Sequence, residues 1–258
     1  MKAIFRRELI AYFTSPLGYV FLSVFYIFAG IFFYFTCLNA GTADMTNVFY
    51  FLFIILILLT PILTMRILSE ERKQKTDQLL LTSPVTLTGL VMGKFLAAFL
   101  VYALGVAITF VYAIVVSAFA SVSWSVVIGN IIGLLLIGAA FIAIGVFLSS
   151  LTESQVISAI ITYAVLLFIL FIDSIANLVT TLGTTVSTFL TSHNMGFFSF
   201  LGTIFEWLGK GLGAISIYTR YYEMCLGIID FSSMLMIISF AAVFIFLTVR
   251  VLERRRWN

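Results

Sequence analysis

Few residues in this 258-residue chain have the type and spacing that catalysis requires. Its one histidine, His193, provides no HExxH metal site, and a Ser/His or metal protease site would be hard to assemble around it. Gly93 and Lys94 lack the upstream glycine and the following Ser or Thr of a GxxxxGK[ST] phosphate loop. Cys37 and Cys225 match no metal or redox spacing. We therefore expect no catalytic, cofactor-binding or metal site in this chain.

The composition indicates where the chain resides. Its residues are 62% hydrophobic and only 10% charged, and its mean hydropathy is +1.19. In a water-soluble domain, about a quarter of the residues are charged. The sequence therefore predicts a multi-pass protein of the cell membrane. The net charge of +3 is too small to indicate a nucleic-acid partner.

Apolar stretches along the chain predict an all-α integral membrane protein with six spans. A helix that crosses the bilayer needs about 20 apolar residues. The stretches that meet this requirement are Leu17 to Leu38, Val48 to Met65, Gly89 to Ala118, Val126 to Leu148, Gln155 to Ile172 and Phe231 to Leu252. We expect them to form a single transmembrane domain over residues 1–258.

The residues before the first span predict a helix that lies at the membrane surface. Residues 1–14 mix Lys2, Arg6 and Arg7 with apolar side chains in a loosely amphipathic pattern. Ser15 and Pro16 then form a helix-start signal. The chain is expected to turn there and enter the bilayer.

The distribution of basic residues predicts the orientation. In the six-span arrangement all 14 basic residues except Lys210 and Arg220 fall on one side. Positive charge is retained in the cytoplasm. Both termini and the loop around residue 70 are therefore predicted to be cytoplasmic.

Polar and helix-breaking residues are sparse inside the spans. Ion-coupled carriers keep ionisable groups at membrane depth, and here Asp173, at the predicted outer end of span five, is the nearest candidate. Lys94 is expected to extend towards the membrane interface, the alternative being an ion pair inside a pathway. Pro61 predicts either a simple kink or a moving hinge. Cys37 and Cys225 are expected to be plain apolar-site residues, with an outer-face disulfide as the alternative.

A long stretch rich in Ser, Thr and Gly precedes the last span. Residues 174–230 lie on the outer side by parity, and they are too many for a structureless connection. We expect helices here that form a shallow, re-entrant hairpin in the outer leaflet; an extra pair of spans is the alternative. His193 is expected at the outer interface.

Residues 66–84 carry seven charged side chains between two apolar stretches, and positions 70–84 read EERKQKTDQLLLTSP. Thr76 can cap a short helix, Asp77 suits its positive N-terminal end, and Pro84 discourages continuation. Leu79 to Leu81 supply an apolar surface. The alternatives are one helix with a kink, or an ordinary solvated loop whose charges only enforce topology.

This region resembles the signature region of ABC type-2 transporter permeases. The residues that carry the resemblance are Thr64-Met65-Arg66, Glu70-Glu71-Arg72, Thr76, the LLLTSP of residues 79–84 and Gly93-Lys94-Phe95. The RREL of residues 6–9, with Ser15-Pro16 and Tyr19, is similar to the gliding-motility-type permeases and to the accessory permeases of nitrous-oxide reductase operons. Lys75 departs from the pattern, because a glycine is common at this position in the family.

The resemblance implies the membrane subunit of an exporter. Two copies would form the membrane part, and separate ATPase subunits would bind ATP and Mg²⁺. A coupling helix near Thr76 to Thr82 would dock against the ATPase, while this chain would not be an enzyme. The residues implied in docking are Glu70, Glu71, Arg72, Thr76, Asp77, Leu79, Leu80 and Leu81.

Two further functional hypotheses belong to other classes. A membrane anchor or assembly scaffold could recruit a soluble partner through the same cytoplasmic surface without transport. An integral membrane enzyme is the third hypothesis. Within the permease hypothesis, spans rich in Ser, Thr, Tyr and Phe suit an amphipathic or lipid-like substrate.

Overall fold

The structure is a computed structural model of the chain. It describes residues 1–75, 86–192, 199–214, 216–225, 227 and 230–257. Within these ranges the side chains of residues 189–192, 199–202, 206, 214 and 256–257 are not described. The predicted coupling helix, from Thr76 to Thr82, and His193 therefore lie outside the described residues.

The described secondary structure is helical throughout. The helices are α1 (Lys2–Thr14), α2 (Pro16–Phe33), a π-helix (Tyr34–Leu38), α3 (Thr46–Thr64), α4 (Ser69–Lys73), α5 (Leu87–Ser117), α6 (Trp124–Leu151), α7 (Gln155–Ser192), α8 (Ser199–Ala214), α9 (Ile217–Cys225) and α10 (Phe231–Trp257). An α-helix satisfies its backbone polar groups internally, which a chain crossing lipid requires.

Six stretches of the described chain are long and apolar enough to cross a membrane. They are Pro16–Leu38, Thr46–Lys73, Leu87–Ser117, Trp124–Leu151, Gln155–Thr188 and Phe231–Arg255. Each of them covers one predicted span to within one residue, so the predicted all-α fold with six apolar helices is confirmed.

The fifth of these helices is much longer than its predicted span. The sequence predicted an end at Ile172, but α7 continues to Ser192 over 38 residues. In the added part of α7, hydroxyl groups donate to backbone carbonyls of the same helix: Thr180 Oγ1 bonds Ala176 O at 2.8 Å and Thr188 Oγ1 bonds Thr184 O at 2.7 Å. Because these bonds satisfy the polar side chains locally, Thr and Ser do not end the helix.

The turn between the first two helices follows from three residues. Pro16 is the first residue of α2, as predicted, and Ser15 is its N-cap residue, although the Ser15 side chain makes no cap hydrogen bond. A Cβ atom at Gly18 would lie 2.5 Å from the Tyr12 carbonyl oxygen. Gly18 therefore lets α1 and α2 approach closely at the turn.

The described chain divides into two compact units. The first comprises Met1–Ala164 and Glu223–Asn258, and the second comprises Val165–Tyr222. In the first unit, α6 packs against α3, α5 and α10. A side chain at Gly138 would overlap the Tyr102 ring, and one at Gly145 would overlap Thr64. These glycines allow α6 to lie closely against α5 and α3.

The second unit contains most of α7, all of α8 and most of α9. A Cβ atom at Gly209 of α8 would overlap Thr180 of α7, so the two helices are in close contact. Thr219 Oγ1 donates to Asp173 Oδ1 at 2.7 Å and ties α9 to α7. Most of the described residues in 174–230 thus lie in helices. Its placement as a re-entrant outer hairpin stays a prediction.

The two cysteines are both buried in the structure. Cys37 lies in the π-helix and Cys225 ends α9. These positions agree with apolar-site residues and give no support to the alternative of a disulfide.

Candidate functional site

The chain makes a short turn between α3 and α4, at residues Met65–Leu68, which we call the junction. It connects the second apolar helix with the segment predicted to dock a partner. The last carbonyls of α3 and the first N–H groups of α4 have no partner within their own helices. Ile67 and Leu68 are buried, so these backbone groups require partners from elsewhere in the protein.

Three helices provide those partners. Tyr12 of α1 donates its hydroxyl to Leu63 O at 2.9 Å, and Lys94 of α5 donates to Ile67 O at 2.8 Å. Ser149 of α6 accepts from the N–H groups of Leu68 and Ser69, both at 3.1 Å, and donates to Met65 O at 3.2 Å. The junction is therefore held by side chains from α1, α5 and α6.

Four charged side chains meet beside the junction, and we call them the Lys94 cluster: Arg7, Glu8, Glu71 and Lys94. Lys94 Nζ lies 3.1 Å from Glu8 Oε1 and 2.9 Å from Glu71 Oε1. Arg7 lies 2.7 Å from Glu8 and 2.8 Å from Glu71. The two positive and two negative charges of the cluster compensate each other, because partly buried charges need partners of opposite sign.

Lys94 forms ion pairs with Glu8 of α1 and Glu71 of α4, and its depth relative to the membrane interface stays a prediction. Its side chain is 1% exposed, and it is enclosed beneath α1 and α4. Snorkelling is favourable where a long cation has no partner at depth. Here two carboxylates from neighbouring helices reach the lysine, so it pairs with them.

The pKa values of the α1 residues reflect this environment. Burial by itself would raise the pKa of Glu8, but the charge of Lys94 and hydrogen bonds from Arg7 and Lys94 outweigh it, and the pKa is lowered. The hydrogen bond to Glu8 is the main reason that the pKa of Arg7 is raised. Burial raises the pKa of Tyr12, which keeps its hydroxyl protonated as a donor. The charged forms of Glu8 and Arg7 are thus the stable forms at neutral pH.

A cleft of about 410 Å³ opens beside the cluster. The polar residues that line it are Arg7, Glu8, Tyr12, Ser15, Arg66, Glu70, Glu71, Gln74 and Lys94. Arg66 pairs with Glu70 one helical turn away. Because the charges on its walls are paired with one another, the cleft has no strong excess of either sign.

Arg72 and Arg255 link this region to the end of α6. Arg72 pairs with Glu153 at 2.9 Å and donates to Leu151 O at 2.7 Å. Arg255, near the end of α10, donates to Ser150 O. The α1 helix, the junction and the C-terminal part of α10 thus lie at one end of the first unit, which we call the charged end.

The predicted docking residues fall into two groups. Glu70, Glu71 and Arg72 are described, and each makes an ion pair within this chain. They therefore fix α4 in place, and their role in docking stays a prediction. Thr76, Asp77, Leu79, Leu80 and Leu81 lie outside the described residues.

Lys75 marks the last described position before that segment. Its φ of 56° lies in the left-handed region, directly after α4, and its N–H donates to Arg72 O at 3.1 Å. A helix often ends with a left-handed residue, and glycine is preferred there. The departure noted in the sequence, a lysine where glycine is common, falls at this bend.

Pro61 lies in the buried part of α3, which continues through it to Thr64. Proline cannot donate a hydrogen bond to Ile57 O, which weakens the helix locally. The Pro61 carbonyl accepts from Met65 N at 2.9 Å at the start of the junction. A hinge at Pro61 stays a prediction.

Sequence reasoning missed Tyr12 and Ser149 as residues of this site. A tyrosine at the end of an amphipathic helix and a serine near the end of an apolar span are both common, and neither forms a motif. The only signal was the apolar character of Met65, Ile67 and Leu68, which is typical of a buried turn in need of polar partners.

The family model described as ABC-2 family transporter protein matches residues 26–257 of this chain. The matched stretch includes the junction, Glu71 and Lys94. No curated protein matches the chain. The resemblance to gliding-motility-type and nitrous-oxide-reductase accessory permeases therefore stays a prediction.

Proposed function

Since the chain belongs to the ABC-2 transporter family and is therefore a multi-pass permease component of an ABC transporter, we propose that it works as the membrane subunit of an ATP-driven exporter. A separate ABC ATPase subunit docks against residues 76–82 and supplies ATP and Mg²⁺. The chain itself performs no covalent chemistry. ATP-driven closure of the ATPases pushes this segment and shifts the spans between two states.

The observation that carries this proposal is the junction. A segment that transmits force must be firmly connected to the spans it moves. Here α4 is tied to α1 by the Arg7–Glu71 pair, to α5 by the Lys94–Glu71 pair and to α6 by bonds of Ser149 and Arg72. A loop that only enforced topology would need no such connections. This arrangement supports coupling to a partner rather than a freely solvated loop.

Three further parts of the proposal concern assembly and substrate. Two copies of the chain form a two-fold symmetric dimer, which is the most common symmetry of homo-oligomers. The substrate is amphipathic or lipid-like, because the spans carry many hydroxyl and aromatic side chains and few charges. Both termini and the docking segment face the cytoplasm.

The docking assignment is tested by changing Leu79 and Leu80 to Asp. Each aspartate places a charge on the apolar surface proposed to contact the ATPase, and burial of an unpaired charge is costly. We expect the variant to insert normally and to lose the ATPase subunit during purification. The measurement is copurification from detergent, with the ATPase identified by mass spectrometry.

The matched control changes Phe119 and Ala120 to Asp. These residues are exposed in the loop between α5 and α6. This control adds the same charge and should keep the ATPase. Equal recovery of the ATPase with both double variants would show that docking does not use the leucines. Recovery of a partner that hydrolyses no ATP would favour the scaffold hypothesis.

A further inference from the structure

Lys94 uses all of its hydrogen-bonding capacity to hold separate parts of the chain. A lysine ammonium has three N–H donors. The structure places three acceptors around Nζ: Glu8 Oε1 at 3.1 Å, Glu71 Oε1 at 2.9 Å and Ile67 O at 2.8 Å. They come from α1, α4 and the junction, while Lys94 itself belongs to α5.

Because Lys94 is buried, these contacts determine the positions of α1 and α4. Its side chain is 1% exposed, and those of Glu8 and Glu71 are 17% and 16% exposed. The lowered pKa of Glu8 agrees with an ionised carboxylate at neutral pH. Without the lysine charge, two carboxylates on different helices would share one partly buried place with only Arg7 between them. Their repulsion would push α1 and α4 apart.

We infer that Lys94 is a positioning residue which makes α1 move as one body with α4. The inference rests on the proposed function, since α4 leads into the proposed docking segment. A push on that segment then displaces α1 together with α4. The N-terminal helix thereby becomes part of the moving element, although it lies outside the stretch matched by the family model.

The inference is tested by measuring the distance between α1 and α4. Spin labels are attached to Arg6→Cys and Lys73→Cys, two exposed positions, after both natural cysteines are replaced by alanine. Pulsed electron resonance in nanodiscs then gives the distance distribution. With Lys94 present we expect one narrow distribution.

The key variant is Lys94→Met, which keeps an unbranched stem and removes the charge. We expect the mean distance to lengthen by about 3 Å or more, because a hydrogen-bonded contact of that length is lost. Lys94→Arg should restore the short distance, since a guanidinium can bond both carboxylates. The matched control is Arg250→Met, which removes a cation from an exposed pair with Glu253 and should change nothing.

A second arm uses the complex with the ATPase. In the wild type the α1–α4 distance should stay constant between the nucleotide-free and the vanadate-trapped state, because both helices move together. In Lys94→Met the distance should change between the two states. If no ATPase copurifies, the proposed function fails, and the distances in the isolated permease still decide the role of Lys94.

Two results would overturn the inference. One is a Lys94→Met distribution as short and narrow as that of the wild type. The other is a wild-type distance that changes between the two nucleotide states. If Lys94→Met does not fold, Lys94→Gln replaces it, since the neutral amide removes the lysine charge and leaves both carboxylates, Glu8 and Glu71, in place. It must also lengthen the distance, and an unchanged distance would equally refute the inference.

Discussion

At the scale of single residues, Lys75 has a conformation that its side chain does not favour. Its φ of 56° costs a residue with a Cβ atom about 1–2 kcal/mol. The bend occurs where α4 ends and the docking segment begins. A lysine here holds the bend at an energetic cost that a glycine would not incur.

We predict that Lys75→Gly stabilises the protein by about 0.5–1 kcal/mol, since relief of the left-handed strain exceeds the entropy that glycine adds to the unfolded chain. Thermal unfolding in detergent measures the change. Lys73→Gly is the control, because Lys73 lies in helical conformation within α4 and should lose stability. Destabilisation by both variants would mean that the bend is not left-handed in solution.

At the scale of elements, the junction is stable because other helices satisfy its backbone. Ser149 contributes most of these bonds, accepting from two N–H groups and donating to one carbonyl. Its neighbour Ser150 donates its hydroxyl within α6, to Phe147 O at 2.6 Å. Two adjacent serines thus have different structural roles.

We predict that Ser149→Ala destabilises the protein by about 1–3 kcal/mol, because buried backbone groups of the junction lose their partner. Ser150→Ala should stay within about 0.5 kcal/mol of the wild type, since the Phe147 carbonyl keeps its place in the helix. Unfolding in detergent mixtures compares the two variants. Equal losses would contradict the role assigned to Ser149.

At the scale of the whole molecule, basic residues far apart in sequence gather at one end of the first unit. Arg7 of α1, Arg72 of α4 and Arg255 of α10 all lie at the charged end, where they contact acidic side chains or the end of α6. This grouping supports the proposed orientation, because positive charge is retained in the cytoplasm.

We predict that single cysteines at Lys73 and Arg254 resist an impermeant thiol reagent in intact cells and react after permeabilisation. A cysteine at Phe119, which is 87% exposed at the opposite end of α5, should react in both conditions. The natural residues Cys37 and Cys225 are 3% and 1% exposed, so the unmodified protein is the control. Reaction at Lys73 in intact cells would reverse the proposed topology.

Composition and length determined most of the architecture. A span requires only an apolar run of sufficient length, so five of the six helices end close to their predicted bounds, whereas α7 exceeds its own. Its extension depended on Thr and Ser side chains that bond their own helix, as at Thr180. Such bonds cannot be read from residue type alone, since the same hydroxyls also end helices.

The contacts of the junction and of the Lys94 cluster were decided by the tertiary structure. The sequence drew attention to residues 66–84 through charge, and the family resemblance gave them a partner. It could not predict that Lys94 meets Glu8, which is 86 positions away, or that Ser149 holds Leu68. Ion pairs and hydrogen bonds form between atoms about 3 Å apart, and only the packing of α1, α5 and α6 against the junction brings these atoms together.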